Sequence, residues 1–255
     1  MKIQSRNAIC LLAAVLSLVV MAPSCHAGTV VAQVAPYLGN IEVLVNNGNV
    51  QAPAWVGAYT WATIGGNAPS FPVGSVFTAF CIDLGTMVQT TSIFTPGSFS
   101  TSNSNLPSNL KATTDPAAAA RIAAISRLWG GFYSQLNTYN NNDPRVNAAA
   151  FQLAIWTLEY NLDSSGHVTG TTFQASVLGA GSQDAIDLAQ QLVTKSLVGG
   201  EYSNSAATNL IALTTGSGQD QLTATPEPST LCLGAIGIGM LITAGVKRRR
   251  KAVVV

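Results

Sequence analysis

The segment from about Arg145 to Tyr160 constrains the fold more than any other part of the sequence, because it combines a strong helix start with apolar residues on every face. Asp143 and Pro144 precede it, an N-cap residue followed by proline at the first helical position, where a missing N–H costs nothing. A helix that is apolar all round has to be enclosed by other elements. We therefore predict that this helix is buried within its domain.

The N-terminal part, residues 28–94, is dominated by β-branched and aromatic runs that are separated by Gly, Pro and Asn. Such runs predict strands. We expect an antiparallel sheet or a small sandwich, with strands at residues 29–34, 41–45, 58–64, 75–82 and 87–93. Residues 95–114 are rich in Ser, Asn and Pro, which indicates an exposed loop.

The helical part, residues 115–199, contains two more predicted helices beside the apolar one. The first runs to about Trp129 and ends at Gly130-Gly131, and the last spans about 172–198. Residues 207–224 return to β-like alternation. The predicted fold class is therefore α+β, an N-terminal antiparallel sheet or sandwich packed on a three-helix region.

The N-terminus has the pattern of a secretory signal peptide. Lys2 and Arg6 form a basic start, residues 8–22 are almost wholly apolar, and Ala27 is a small residue at the expected cleavage point. We predict that signal peptidase removes residues 1–27.

The C-terminus has the pattern of a membrane span. Residues 230–246 carry no charge and, at about 1.5 Å per residue, form a helix of roughly 26 Å, just enough for a hydrocarbon core. The basic run 247–251 follows, and basic residues stay on the cytoplasmic side. We predict one C-terminal transmembrane helix with a cytoplasmic tail and an ectodomain at residues 28–222. An ordinary single-pass anchor would explain this pattern.

A more specific signal stands immediately before the span. Pro226-Glu227-Pro228, the Gly-rich apolar stretch and the cluster Arg248, Arg249 and Arg250 resemble the PEP-CTERM sorting signals of Gram-negative bacteria that also make exopolysaccharide. The resemblance covers residues 225–251. It implies export across the inner membrane, transient anchoring there, and cutting by an exosortase that leaves the ectodomain at the cell surface or in an extracellular matrix.

The charge between the two terminal signals argues against one class of partner. Residues 28–229 contain five Lys and Arg against eleven Asp and Glu, a net charge of −6, although the full chain carries +1. A nucleic-acid-binding domain has a basic face, and so few basic residues cannot form one. We therefore exclude nucleic acid as a partner.

Cysteine usage singles out one residue. Cys10 and Cys25 fall in the signal peptide and Cys232 falls in the predicted span, so Cys81 is the only cysteine of the exported part. No internal disulfide can form there. Cys81 is then a buried bystander, an intermolecular partner or a reactive thiol.

The apolar helix contains one amide, Gln152, which shares its face with Ala148, Trp156 and Glu159. A buried amide without partners costs about 1–3 kcal/mol. Gln152 must therefore be hydrogen-bonded to a nearby backbone group or be chemically changed.

Two segments, Phe80-Cys81-Ile82-Asp83 and Phe151-Gln152-Leu153-Ala154-Ile155-Trp156, resemble the signature segments of bacterial surface thioester domains. In that family an aromatic-Cys motif and a Gln-x-Ala-Ile-Trp helix supply the halves of an internal Cys–Gln thioester. The resemblance covers about residues 55–200. It implies that Cys81 gives the sulfur and Gln152 the acyl carbon, although Phe151 stands where a threonine is common.

The residue types suit this chemistry. Attack of a thiolate on the Gln152 amide carbon expels ammonia and leaves an acyl–sulfur bond. We expect Phe80, Phe151, Ile155 and Trp156 to form a pocket that keeps water from the bond. An amine or hydroxyl of a protein lysine or a polysaccharide would then take the acyl group. This reaction happens once, so we predict an adhesion protein rather than an enzyme, with no cofactor and no metal.

Two carboxylates are weaker site candidates. Asp83 follows the cysteine at the end of a strand, and Glu159 lies two helical turns after Gln152. Either could orient or deprotonate the incoming group, but a solvated carboxylate without a role is the commoner case for such residues.

Two other functions stay open. A passive matrix or interaction protein needs Cys81 only for packing. A Cys-His hydrolase or transglutaminase-like enzyme would use His167, the only histidine of the exported part, although a lone histidine in a polar loop is usually solvated. The run from Asn140 to Asp143 lacks calcium-ligand spacing and predicts a turn.

Overall fold

The computed structural model describes residues 28–34, 41–48, 51–139, 143–170 and 172–225. The predicted signal peptide, the predicted transmembrane helix at 230–246 and the sorting residues from Pro226 onward lie outside the described residues. Within the described ranges, no helix has the length and hydropathy that crossing a membrane requires.

The described part of the chain contains nine strands and three α-helices. The strands are β1 Val30–Val34, β2 Ile41–Asn46, β3 Gln51–Val56, β4 Tyr59–Gly66, β5 Val76–Cys81, β6 Thr91–Ser98, β7 Gln174–Val177, β8 Leu210–Thr214 and β9 Gln221–Ala224. The helices are α1 Ala118–Phe132, α2 Pro144–Asn161 and α3 Ser182–Ser196, and short 3-10 helices lie at Ser108–Leu110 and Tyr133–Gln135.

Six strands close into an antiparallel barrel in the order β1-β4-β5-β9-β8-β6. Alternation along β6 shows how the sequence specifies its faces, because Ser92, Phe94 and Pro96 are buried whereas their neighbours point outward. Inside the barrel, Phe94 meets Trp61 of β4 edge to face, with ring centroids 5.0 Å apart. The barrel therefore holds a packed apolar interior.

A second sheet, with strand order β3-β2-β7, lies against helices α2 and α3. Helix α2 packs against both other helices and is buried along most of its length, and Phe151 to Ile155 are all within 1% of full burial. Its N-cap is Asp143, whose side chain accepts a hydrogen bond from the Arg145 N–H at 2.9 Å. The prediction of an enclosed helix is confirmed, as is a mixed fold with three helices.

Tertiary packing changes several predicted boundaries. Helix α1 continues through Gly130 and Gly131 to Phe132. The two glycines lie inside the helix where residues 202–205 pack too closely to leave room for a Cβ. A Cβ at Gly130 would lie 1.5 Å from the Ser205 carbonyl oxygen, and one at Gly131 would lie 2.3 Å from the Tyr202 ring. The glycines are therefore packing sites inside the helix, and the prediction that they end it is wrong.

Three other segments also differ from their predictions. The last predicted helix begins only at Ser182, because residues 174–177 form β7 as the partner of β2. The predicted strand at 87–93 is displaced to Thr91–Ser98, and β3 was not foreseen. The expected loop 95–114 is anchored by buried Leu106 and Leu110. The pairing of β7 with β2 and of β6 with β1 and β8 shows that long-range partners decide the first two of these differences.

Candidate functional site

Cys81 ends strand β5 and meets the side chain of Gln152 from α2. The Gln152 Oε1 accepts a hydrogen bond from the Cys81 N–H at 2.7 Å, and the Gln152 Nε2 donates to the Cys81 carbonyl oxygen at 2.8 Å. Both residues are within 1% of full burial. The Gln152 amide thus makes the two hydrogen bonds that the backbone N–H and carbonyl of Cys81 would otherwise make with a neighbouring strand.

The sulfur of Cys81 faces two other glutamines, which the sequence analysis did not consider. The thiol donates to the Gln219 Oε1 at 2.9 Å, and the Gln221 Nε2 donates to the sulfur at 3.2 Å. Gln221 opens β9 and lies directly opposite Cys81 in the antiparallel β5–β9 pair, so the two side chains point to the same face. The only sequence signal for them is a pair of amides two residues apart in a predicted strand.

Local hydrogen bonds fix these glutamines. The Asp220 carbonyl oxygen accepts from the Ile82 N–H at 3.0 Å, which continues the β5–β9 pairing past Cys81. The Gln219 Nε2 donates to the Asp83 carbonyl oxygen, which holds the amide against the thiol. The Gln221 Oε1 is buried without a hydrogen-bond partner.

Aromatic rings close the site on the helical side. Phe80 and Phe151 meet edge to face with centroids 4.7 Å apart, and the Phe80 ring lies 5.7 Å from that of Trp129 and 6.4 Å from that of Tyr133. Phe80 and Phe151 are fully buried. These rings exclude water from the elements that carry Cys81 and Gln152. Among the other two predicted pocket residues, Ile155 is fully buried and Trp156 nearly so.

The environment of the thiol disfavours its charged form. Burial raises the pKa of Cys81, and the negative charge of Asp83 acts in the same direction. Hydrogen bonds from Gln221 and from the Tyr59 hydroxyl oppose this rise in pKa. The thiol is therefore protonated at neutral pH, and a reaction at the sulfur has to move that proton.

The two predicted helper carboxylates make their hydrogen bonds elsewhere. Asp83 accepts from the Gly85 N–H and the Thr86 hydroxyl, both at 2.7 Å. Glu159 is fully buried, accepts from Asn109 at 3.0 Å and has an unpartnered Oε2. Burial raises the pKa of Glu159 well above its usual value, which favours its neutral acid form.

His167 lies in an exposed loop, where its Nδ1 is 2.9 Å from the Ser165 hydroxyl and its N–H donates to Asp163. These contacts join it to its own loop and not to the buried Cys81. In the described ranges, no group of three or more His, Cys, Asp and Glu side chains could hold a metal ion.

A cavity of about 890 Å³ opens beside the cysteine. It runs between the β2–β3 pair and residues 84–90, and its lining includes Tyr59, Trp156 and Gln219. Gln219 lines this cavity and also contacts the Cys81 sulfur, so one side chain links the cavity to the site.

Residues 224–251 match the family model of the PEP-CTERM protein-sorting motif. This match confirms the sorting signal predicted around Pro226-Glu227-Pro228. The motif implies that the chain is exported, anchored in the membrane by its C-terminus before processing, and processed by an exosortase. No curated protein matches the sequence significantly.

Two solved structures are similar to this chain. The first is the N-terminal thioester domain of the fibronectin-binding protein SfbI from Streptococcus pyogenes, with 12% identity, 76% of this chain and 97% of that chain covered, and a TM-score of 0.44. The second is the N-terminal domain of the Streptococcus pyogenes pilus tip adhesin Cpa, with 14% identity, 74% and 96% covered, and a TM-score of 0.41. Both are domains of bacterial adhesins. With TM-scores below 0.5, neither similarity carries an inference about a thioester in this chain.

Proposed function

We propose that this chain is an exported surface protein that stores an internal thioester at Cys81 and uses it once, to attach itself covalently to an amine or hydroxyl. One observation carries the proposal: the amides of three buried glutamines, Gln152, Gln219 and Gln221, hydrogen-bond to a single cysteine. Holding a thiol against an amide in a near-attack position can lower the barrier by up to about 7–11 kcal/mol.

The geometry favours Gln221 as the acyl donor. Its amide nitrogen contacts the sulfur, and its position opposite Cys81 brings the two side chains together without any backbone movement. Its unpartnered Oε1 also lacks the hydrogen bond that a resting buried amide normally has. The Gln152 assignment stays an alternative prediction, supported by the Cys81 N–H, which would stabilise an oxyanion on the Gln152 Oε1.

Thioester formation needs no group from outside the site. The Cys81 sulfur attacks the amide carbon, the C–N bond breaks, and the thiol proton leaves with the nitrogen as neutral ammonia. Gln219 holds the thiol in place by accepting its hydrogen bond. No charge has to remain in a site where burial disfavours the thiolate.

When the thioester reacts with its target, the Cys81 sulfur becomes the leaving group. An amine or hydroxyl attacks the acyl carbon, its proton passes to the Cys81 sulfur, and an amide or ester joins the target to the glutamine. The cysteine returns as a thiol, but the glutamine is consumed, so there is no turnover. We propose the aromatic wall around Phe80 and Phe151 as the barrier that protects the stored bond from water. Asp83 and Glu159 make their side-chain hydrogen bonds elsewhere, so we propose only an indirect role for them.

The organisation of the chain fits this role. We propose a thioester-type ectodomain at residues 28–222, between a signal peptide and the sorting region 225–251, which signal peptidase and an exosortase process in turn. The target is a protein lysine or a polysaccharide outside the inner membrane. The alternative is a passive matrix protein, and a buried free cysteine is compatible with it.

Methylamine separates the two functions in the exported, purified protein. A thioester predicts that methylamine adds its own mass to the chain and releases one titratable thiol, and that Cys81→Ala abolishes the addition. A protein without the thioester gains no mass under the same conditions. Comparison before and after treatment makes the result independent of the processed ends.

A further inference from the structure

The cavity beside Cys81 has a composition that narrows the ligands it can take. Among the described residues, no side chain that lines the cavity carries a charge, and the rim exposes two large apolar groups, Trp55 at 55% and Met87 at 86%. Tyr59 and Trp156 add aromatic rings, and Gln219 adds an amide that reaches the sulfur. The cavity is a neutral aromatic groove that leads to the reactive group.

A buried donor in this groove lacks a partner. The indole Nε1 of Trp156 is inaccessible to solvent and makes no hydrogen bond, while Trp156 itself lines the cavity and is held by an aromatic contact with Phe173, 5.8 Å between centroids. Buried indole N–H groups normally find an acceptor. An oxygen atom of a ligand in the groove would supply one after a small rotation of the indole exposes the N–H.

The same features disfavour a cationic ligand. A lysine ammonium loses hydration on entering such a groove and needs a carboxylate to offset the loss. The nearby Asp83 carboxylate already accepts hydrogen bonds from Gly85 and Thr86 and does not line the cavity. A neutral hydroxyl compound loses much less hydration free energy on entering the groove.

We propose that this groove binds a neutral glycan and presents one of its hydroxyls to the Cys81 thioester, a statement that rests on the proposed function. Sugar rings offer C–H faces that stack on aromatic side chains and oxygen atoms that accept from the Trp156 N–H and the Gln219 amide. In the reaction the hydroxyl oxygen bonds to the acyl carbon, the carbon–sulfur bond breaks, and the hydroxyl proton goes to the sulfur. The product is an ester.

Binding is measured first in Cys81→Ala, which keeps the groove but cannot form the bond. Isothermal titration uses neutral dextran, mannan and cello-oligosaccharides, an anionic alginate oligosaccharide and a lysine-rich peptide. We expect a neutral oligosaccharide to bind best, and expect Trp55→Ala and Trp156→Phe each to weaken it by about tenfold or more. The second change removes the indole N–H but keeps an aromatic ring. Val198→Ala, at an exposed apolar residue outside the groove, is the matched control.

Absence of binding by every neutral oligosaccharide overturns the proposal, as does tighter binding of the peptide or an equal effect of Val198→Ala. The covalent step is then followed in the wild-type protein. We expect an oligosaccharide adduct that hydroxylamine removes, because hydroxylamine cleaves esters but leaves amides. If methylamine is incorporated but the lysine peptide outcompetes every oligosaccharide, the glycan proposal fails and the proposed function stands. If methylamine is not incorporated, the proposed function fails, and the Cys81→Ala titration still decides whether the groove binds glycans.

Discussion

Cys81 and Gln221 lie directly opposite each other on the antiparallel strands β5 and β9, with the Gln221 amide nitrogen 3.2 Å from the sulfur. Opposite residues in such a pair have Cβ atoms about 4.5–5.5 Å apart, a span that a cysteine and a glutamine side chain bridge together. Gln152 approaches the same cysteine from a helix and binds its peptide group instead. In the proposed thioester the barrel thus supplies both partners, and the helix holds the end of strand β5 in place.

The first prediction identifies the acyl donor. We expect Gln221→Ala to abolish methylamine incorporation, because it removes the amide that contacts the sulfur from the opposite strand. Gln219→Ala should slow thioester formation without preventing it, since Gln219 only accepts the thiol hydrogen bond. Mass spectrometry of proteolytic fragments checks this, because the methylamide marks the glutamine that carried the acyl group. A methylamide on Gln152 would exclude Gln221 and support the assignment from the sequence.

The second prediction concerns the stability that Gln152 provides. Gln152→Ala leaves both the N–H and the carbonyl of Cys81 buried without partners, at about 1–3 kcal/mol for each group. We expect the free energy of unfolding, measured by urea denaturation in a Cys81→Ala background, to fall by about 2–5 kcal/mol. Gln190→Ala on the exposed face of α3 is the control and should change it by less than about 0.5 kcal/mol. Equal effects of the two changes would contradict this role.

The third prediction concerns pH. Burial raises the pKa of Glu159, so between the unfolded and folded pKa values the folded state holds a proton that the unfolded state has lost. Stability from this group is complete below its unfolded pKa of about 4.3 and is lost as pH rises through its folded pKa. Burial also raises the pKa of Asp220, to about 6, which adds a slope of the same sign.

We therefore expect Glu159→Gln to reduce the fall in unfolding free energy between about pH 5 and pH 8, because glutamine keeps the shape of the neutral acid and cannot ionise. Urea titrations at several pH values, again in a Cys81→Ala background, measure this slope. Glu201→Gln, which changes an exposed carboxylate that pairs with Lys195, is the control for the loss of one negative charge. An unaltered slope in Glu159→Gln would show that Glu159 is ionised in the fold.

The fourth prediction tests the close approach to α1. Alanine is favoured over glycine in a helix by about 1 kcal/mol, yet a Cβ at Gly130 would collide with the Ser205 carbonyl. We expect Gly130→Ala to lower the free energy of unfolding by about 1–3 kcal/mol, by overpacking. Gly216→Ala has no heavy atom within 4 Å of its new Cβ and is the control, with no loss of stability expected. A more stable Gly130→Ala would contradict the packing role.

These results show which information is local in the sequence. The enclosed helix α2 could be predicted because its Asp143-Pro144 start and its apolar faces lie within one segment. The two glutamines at the sulfur could not, because the pairing of β9 with β5 joins residues 140 positions apart, and no local pattern specifies that register. The prediction that Gly130 and Gly131 end helix α1 failed for the same reason. The groups that require glycine there, the Ser205 carbonyl and the Tyr202 ring, lie about 70 residues further along the chain.

Strand β9 ends at Ala224, where the sorting motif begins. If the target is joined to Gln221, mechanical tension between target and anchor runs through only a few residues of one strand and leaves the rest of the barrel unloaded. A target joined to Gln152 would instead pull through α2 and across the whole fold. The position of the acyl donor in the chain therefore decides whether the folded domain carries the mechanical load between target and anchor.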